Sequence, residues 1–233
     1  MNEIEFYDYI KCPVFYDAVH RKKLPFIFQP TMNEVLNKVA YRFFLDLMNG
    51  NVMSMSQLKK AWDAICNENT FITEKKCLEG ISLISKMYLW AQNEQLRILD
   101  IKTPYVLRLG NGVELTGEID TISINSKNNP ELLHMDFSQK LPDQSMLDMK
   151  MKYTFDSMAF KNSYGKDIGV HVHNVKNNQD FFTYRSSPDF IRGLDAVKSV
   201  HKSIKNNIYY PRENAFCATC EMKVFCRQWN INS

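Results

Sequence analysis

The sequence predicts an α/β protein built around a mixed sheet, and three observations carry that expectation. Apolar residues recur at helical spacing through much of the first hundred positions. From about residue 105 they take on strand-like character. Gly110-Asn111-Gly112 then interrupts the strand-like stretch as a hairpin turn does, because glycine and asparagine tolerate positive φ.

Residues 1–30 are aromatic-rich without a clear period and are expected to be irregular. Thr31 or Asn33 caps a helix with the apolar face Val35, Val39, Phe43 and Leu47, and Gly50 fits its end. Further helices are predicted over residues 56–66 and 73–97, the second carrying Leu78, Ile81, Ile84, Met87, Tyr88 and Ala91. Strands follow at 105–109 and 113–124, and a turn at 126–130 leads into a third strand at 132–138. A helix over 144–160, strands at 169–175 and 181–184, and a last helix over 188–205 complete the order. No repeat or linker divides the chain, so 1–233 is read as one domain. It has a helical region at 31–100, a sheet core at 101–205, and two ends, 1–30 and 206–233.

A chain of 233 residues with 45% hydrophobic content can bury a substantial core. Net charge is only +3, from 29 basic and 26 acidic residues, so a polyanion site must come from local clustering. His20-Arg21-Lys22-Lys23 is the clearest cluster, readable as a phosphate-binding segment or as a solvated basic turn. Six cysteines are too few for a disulfide scaffold, and neither a signal peptide nor a membrane-length apolar run is present. The thiols are therefore expected to be reduced or metal-bound in the cytoplasm or another reducing compartment. Cys66 and Cys77 lie in helical patterns and are read as packing residues.

The other four cysteines sit at the two extremes: Cys12 near the start, and Cys217, Cys220 and Cys226 in a C-x2-C-x5-C cluster. A shared metal centre would clamp the two ends together. Between them, Asp120 follows Gly117-Glu118-Ile119 in one predicted strand, and Asp136 lies between Met135 and Phe137 near the end of the next. Alternation puts Asp120 on a face with Glu118, and Asp136 on a face with Ser138 and Lys140. In a suitable register the two carboxylates meet, and with the Phe137 carbonyl they form an oxygen-rich site suited to Mg2+ or Mn2+. The plainer alternative is that each aspartate is a turn or solvent residue and Lys140 an ordinary exposed lysine.

These residues resemble the PD-(D/E)XK nuclease superfamily, in particular its RecB-like iron–sulfur branch of CRISPR-associated exonucleases and AddB-type subunits. The resemblance rests on Tyr9-Ile10-Lys11-Cys12-Pro13, Gly117-Glu118-Ile119-Asp120, Met135-Asp136-Phe137 and Phe216-Cys217-x2-Cys220-x5-Cys226. It implies an αβββαβ nuclease-like core with a helical insertion and an iron–sulfur clamp joining the termini. It also implies a 4Fe-4S cluster on Cys12, Cys217, Cys220 and Cys226, although four thiolates equally suit tetrahedral Zn2+.

The departures bear on catalysis. Ser138 stands where the D-x-K motif has its lysine, with Lys140 two residues on as a migrated substitute. Tyr41 occupies the place of a metal-binding histidine, and Met149 the place of the glutamine in Q-x-x-x-Y, leaving Tyr153. Two functions follow as expectations. One is a Mg2+- or Mn2+-dependent exonuclease or end-processing nuclease acting on single-stranded or duplex DNA ends through Asp120, Asp136, Glu118 and Lys140. The other is a nuclease fold that has lost its chemistry and serves as a nucleic-acid-binding or complex-assembly subunit beside a protein partner. Candidates for a nucleic-acid track are Arg21, Lys22, Lys23, Tyr184, Arg185, Tyr209, Tyr210 and Arg212.

Overall fold

The computed structural model describes residues 1–25, 30–51, 53–69 and 71–228. The front segment expected at 1–30 and the tail expected at 206–233 therefore lie partly outside the described residues. The chain gathers into two compact units, one of residues 29–104 and 118–190, the other of residues 1–28, 105–117 and 191–233. No helix among the described residues is long and apolar enough to cross a membrane.

The larger unit begins with helices α3 (Met32–Met48), α4 (Met55–Glu68) and α5 (Glu74–Asn93), preceded in the chain by α1 (Glu3–Lys11) and α2 (Pro13–Tyr16) of the other unit. Thr31 and Ser54 open α3 and α4 with capping boxes closed by Glu34 and Gln57. Each box satisfies two backbone N–H groups that the helix itself leaves free. Val35, Val39, Phe43, Trp62, Ile84 and Met87 are nearly or fully buried in one core with Leu133, Phe137 and Val175. The helical insertion therefore covers one face of a sheet.

Trp62 of α4 donates its Nε1–H to the Cys77 carbonyl of α5 at 2.9 Å, and its ring lies against Gly80. A methyl at Gly80 would collide with that ring. Gly80→Ala is expected to lower stability by about 1–3 kcal/mol in a urea melt, the usual cost of overpacking; a loss of a few tenths would show that the helices part without strain. Cys66 and Cys77 also join α4 to α5, paired as a disulfide with Cα atoms 6.1 Å apart. This corrects the expectation that both are packing thiols. Each lies partly buried at the same helix contact, which is why their apolar setting read as packing.

The sheet has the order β1 (Arg97–Arg108), β2 (Glu114–Ile124), β3 (Pro130–Asp136), β4 (Gly169–Asn174) and β5 (Gln179–Tyr184). β2 and β3 are antiparallel with Ile122 opposite Leu132, β3 and β4 parallel with Asp136 opposite Asn174, and β4 and β5 antiparallel. The sheet is mixed, as expected. The first strand starts eight residues earlier than predicted, and the third stops at Asp136 instead of running through Ser138.

The helix expected over 144–160 is two, α6 (Gln144–Met149) and α7 (Met151–Tyr164). Lys150 between them takes an extended ψ of 116°. The Arg185 guanidinium, 7% exposed, donates to the carbonyls of Leu147 and Lys150 at 2.7 and 3.4 Å and so fixes this break.

On the sheet face under α5, His171 lies between Glu131 and Asp180 at 2.9 and 2.7 Å, and His173 also meets Asp180 at 2.8 Å. Trp90 stacks on His173 and Phe182 on His171. Burial opposes a charge on His171, but Asp180 and Glu131 outweigh it and raise its pKa to about 9. A raised histidine stabilises fully below its unfolded value of about 6.5 and loses that contribution as pH climbs through 9. Stability is therefore expected to fall by at most about 3 kcal/mol between pH 6.5 and 9. His171→Gln should flatten that slope in paired urea melts; an equal slope in both proteins would exclude His171 as its source.

The smaller unit starts with α1 (Glu3–Lys11) and α2 (Pro13–Tyr16), followed by a π-helical turn over Asp17–Arg21. The aromatic front is thus helical, not irregular. Asn2 and Glu5 form a capping box, and Phe6 and Tyr9 supply the buried face. Asn2 bridges Thr116 at the start of β2. After α8 (Ser187–Lys205), which begins in the larger unit, come a 3-10 turn at Ala215–Ala218 and α9 (Lys223–Gln228). Phe15, Ala18 and Met222 are buried there, with Cys12, Phe216, Cys220 and Phe225 packed against them.

Candidate functional site

The antiparallel register of β2 on β3 sets Asp120 across from His134, and an Oδ2···Nδ1 distance of 3.4 Å joins them. Asp136 lies two residues beyond His134 and so projects from the same sheet face. By strand alternation Asp120 and Asp136 face the same side of the sheet. Between them and α7 lies a network that the sequence did not reveal. His134, 9% exposed, also meets Asp156 at 3.4 Å and packs at a tilt against the Tyr153 ring, centroids 4.5 Å apart. Asp156 is fully buried and pairs with Lys152 at 2.8 Å. Lys152 also donates to the Glu118 carbonyl, and Lys102 of β1 reaches Asp120 at 2.8 Å and Glu118 at 4.0 Å.

These contacts fix the protonation of the site. Burial opposes the Asp120 charge, but hydrogen bonding from His134 and the charges of Lys152 and Lys102 hold its carboxyl far below the ordinary range. Burial also opposes a charge on His134, yet Asp120 and Asp156 raise its pKa above the usual histidine value. Burial lowers the Lys150 pKa although Asp136 and Asp120 favour its charge, and it raises the Tyr153 pKa well above normal, with Asp136 and Asp156 adding to that. The Lys150 ammonium lies 3.2 Å from the Tyr153 hydroxyl.

Asp136 is engaged differently. Its two oxygens accept from the Ser138 N–H at 3.0 Å, the Ser138 hydroxyl at 2.9 Å and the Asn174 amide at 2.8 Å. Ser138 therefore gives Asp136 a short neutral donor. Lys140 lies past the end of β3, in a loop whose Lys140 carbonyl accepts from the Ser138 hydroxyl at 2.8 Å. It does not share a strand face with Asp136.

Of the other predicted positions, Tyr41 packs against the helical core, Met149 is 63% exposed, and Tyr153 is 2% exposed against His134. Among the described residues, no three His, Cys, Asp or Glu side chains are gathered tightly enough to hold a metal as they stand. The donor chemistry of Asp120, Asp136 and the Phe137 carbonyl nonetheless suits a hard divalent ion, and the Lys102 ammonium already stands on Asp120 as a cation.

In the smaller unit the four cysteines are free thiols in one neighbourhood. Burial raises the pKa values of Cys220 and Cys226, and thiolate charge at Cys12 and Cys217 raises both further. Asn214 donates to the Lys11 carbonyl at 2.8 Å and Arg212 to the Ile10 carbonyl at 2.6 Å, tying the tail to the segment that carries Cys12. Thiolate is the ligand chemistry of iron–sulfur and zinc sites, and among the described residues the four sulfurs are not gathered into such a site.

Most candidate nucleic-acid contacts are engaged within the protein. Arg21 and Lys22 both pair with buried Asp17 at 3.1 Å, His20 pairs with Asp8 at 2.7 Å, and Arg185 is buried in its hydrogen bonds. Three residues of the basic run, His20, Arg21 and Lys22, are thus paired within the protein. Tyr184 and Tyr210 are 74% and 50% exposed.

No family model matches the chain. No curated protein matches it either. Among solved structures it is similar to a candidate exonuclease from Eubacterium rectale, with a TM-score of 0.58 at 11% identity, over 98% of this chain and 87% of that one. At that identity the likeness establishes a shared fold. A second, of the protein SSO0001, has a TM-score of 0.42 at 12% identity over 85% of this chain and 98% of that one.

Proposed function

We propose that this chain is a divalent-metal-dependent nuclease of the RecB-like type, acting on single-stranded or duplex DNA ends. The observation that carries the reading is the placement of Asp120 and Asp136 on one face of neighbouring strands, with the Lys102 ammonium paired to Asp120. The fold shared with a candidate exonuclease supports it.

In this reading Asp120, Asp136 and the Phe137 carbonyl hold Mg2+ or Mn2+, which would polarise the phosphodiester and acidify an attacking water. His134 and Lys152 keep Asp120 ionised, so no proton has to leave it before an ion is bound. Glu118, half-exposed beside Lys102, is a further acceptor for a water. Tyr153 and Arg185 hold the start of α7, and with it Lys150, over the carboxylates. Cys12, Cys217, Cys220 and Cys226 would hold a 4Fe-4S cluster, with Zn2+ the competing occupant, and their role is to secure the two chain ends.

One observation favours the second reading, a binding or assembly subunit without chemistry: Ser138 and Asn174 already engage both oxygens of Asp136. Mn2+-dependent cleavage of end-labelled single-stranded and duplex DNA by anaerobically purified protein separates the two. Cleavage that disappears in Asp136→Ala supports the nuclease; DNA binding with no cleavage above that variant supports the subunit. Broad visible absorption lost on oxidation would identify an iron–sulfur cluster, and a colourless protein containing zinc would identify the alternative.

A further inference from the structure

β1 contains an irregularity at the candidate site. Ile98 and Ile101 both pack towards the helical core although they are three residues apart, so the inward-facing positions shift from even to odd within the strand. Lys102 follows directly, with φ of +52°, a left-handed conformation that an L-residue with a long side chain rarely adopts inside a strand. Strand irregularities of this kind re-aim a side chain, and strained backbone of this kind persists where the surrounding structure demands it. Here the re-aimed group is an ammonium, delivered 2.8 Å from Asp120 and 4.0 Å from Glu118. The side chain remains 43% exposed, so it can meet a ligand as well as the carboxylates.

We infer that Lys102 is the cation of this site, supplying from β1 the positive charge that Ser138 no longer supplies from β3. The inference rests on the nuclease reading. The other lysines fit the role less well: Lys140 is carried off by the loop after β3, Lys152 is committed to Asp156, and the Lys150 ammonium is directed at Tyr153. Lys102 pairs directly with Asp120 and has a backbone distortion to hold it there. Its ammonium would face the anionic phosphate of a bound DNA end and share Asp120 with a divalent ion, which it must partly yield when that ion binds.

The test uses the full chain with Mn2+ as probe and three variants: Lys102→Met, Lys102→Arg and Lys102→Gly. Lys102→Met is expected to cleave about 100-fold more slowly. It should also bind Mn2+ about tenfold more tightly by titration calorimetry, because no ammonium competes for Asp120. Lys102→Arg should recover part of the cleavage. Lys102→Gly, free of the backbone constraint, should melt no lower than the wild type while losing cleavage as Lys102→Met does. Unchanged Mn2+ affinity in Lys102→Met overturns the inference, as does cleavage within threefold of wild type. If the wild type binds Mn2+ but cuts nothing, the nuclease reading fails while the affinity comparison still decides whether Lys102 is the cation at Asp120. Absence of Mn2+ binding from every variant overturns both.

Discussion

Asp156→Ala is expected to cost about 3–5 kcal/mol of folding stability, the largest loss for any single side chain at the candidate site. Asp156 has no solvent exposure and its carboxylate is shared between Lys152 at 2.8 Å and His134 at 3.4 Å. A buried histidine and a partly buried ammonium depend on it. Truncation removes the anion and leaves the cost of their desolvation, which is why breaking such a pair is far more damaging than its net contribution implies. The same reasoning predicts partial recovery when the charges leave together. Lys152→Met/Asp156→Leu should be more stable than Asp156→Ala, because no uncompensated ammonium then remains on α7. Urea melts of the three proteins measure this directly. A loss below about 1 kcal/mol in Asp156→Ala would mean that water reaches the pair and that the network does not organise the site.

The dependence of His134 and Lys152 on Asp156 was not visible in the sequence. The residues 153–157 are buried on every side of α7, so the segment has no polar face to mark Asp156 as unusual. The available signal was a charged residue inside a run of buried positions with Lys152 one turn earlier, the spacing at which helix side chains meet. The strand acids were legible because Asp120 and Asp136 each lie in an apolar strand pattern, and the short turn between β2 and β3 leaves little freedom in their register. Lys102 was hidden for the opposite reason. The shift in β1 breaks the two-residue period, so the part of the strand that delivers it did not read as a strand. The front segment was misread because its capping box is formed by Asn2 and Glu5 at the very start, where aromatic content masks the helical spacing of Phe6 and Tyr9.

Asp136→Ala is expected to abolish Mn2+-dependent cleavage, lowering it by about 1000-fold or more, since an ion held by a lost carboxylate contributes several kcal/mol to the transition state. The difficulty is that Asp136 also has a structural role. It accepts from the Ser138 backbone, the Ser138 hydroxyl and Asn174, so its removal leaves partly buried donors unpaired, at about 1–3 kcal/mol. Loss of cleavage in the alanine variant alone could therefore report a disordered strand end. Asp136→Asn separates the two effects, because its side-chain oxygen still accepts from Ser138 while the negative charge is gone. If the charge binds the ion, the asparagine protein, which keeps the Ser138 N–H bond but sets its amide N–H2 against that of Asn174, melts above the alanine protein yet cuts as poorly. If Asp136 only shapes the turn after β3, the asparagine protein keeps most of its cleavage, and the ion site must be assigned elsewhere. The same pair of variants decides between the two readings of the molecule: a wild type that retains DNA but is no faster than either variant has kept the fold of a nuclease without its reaction.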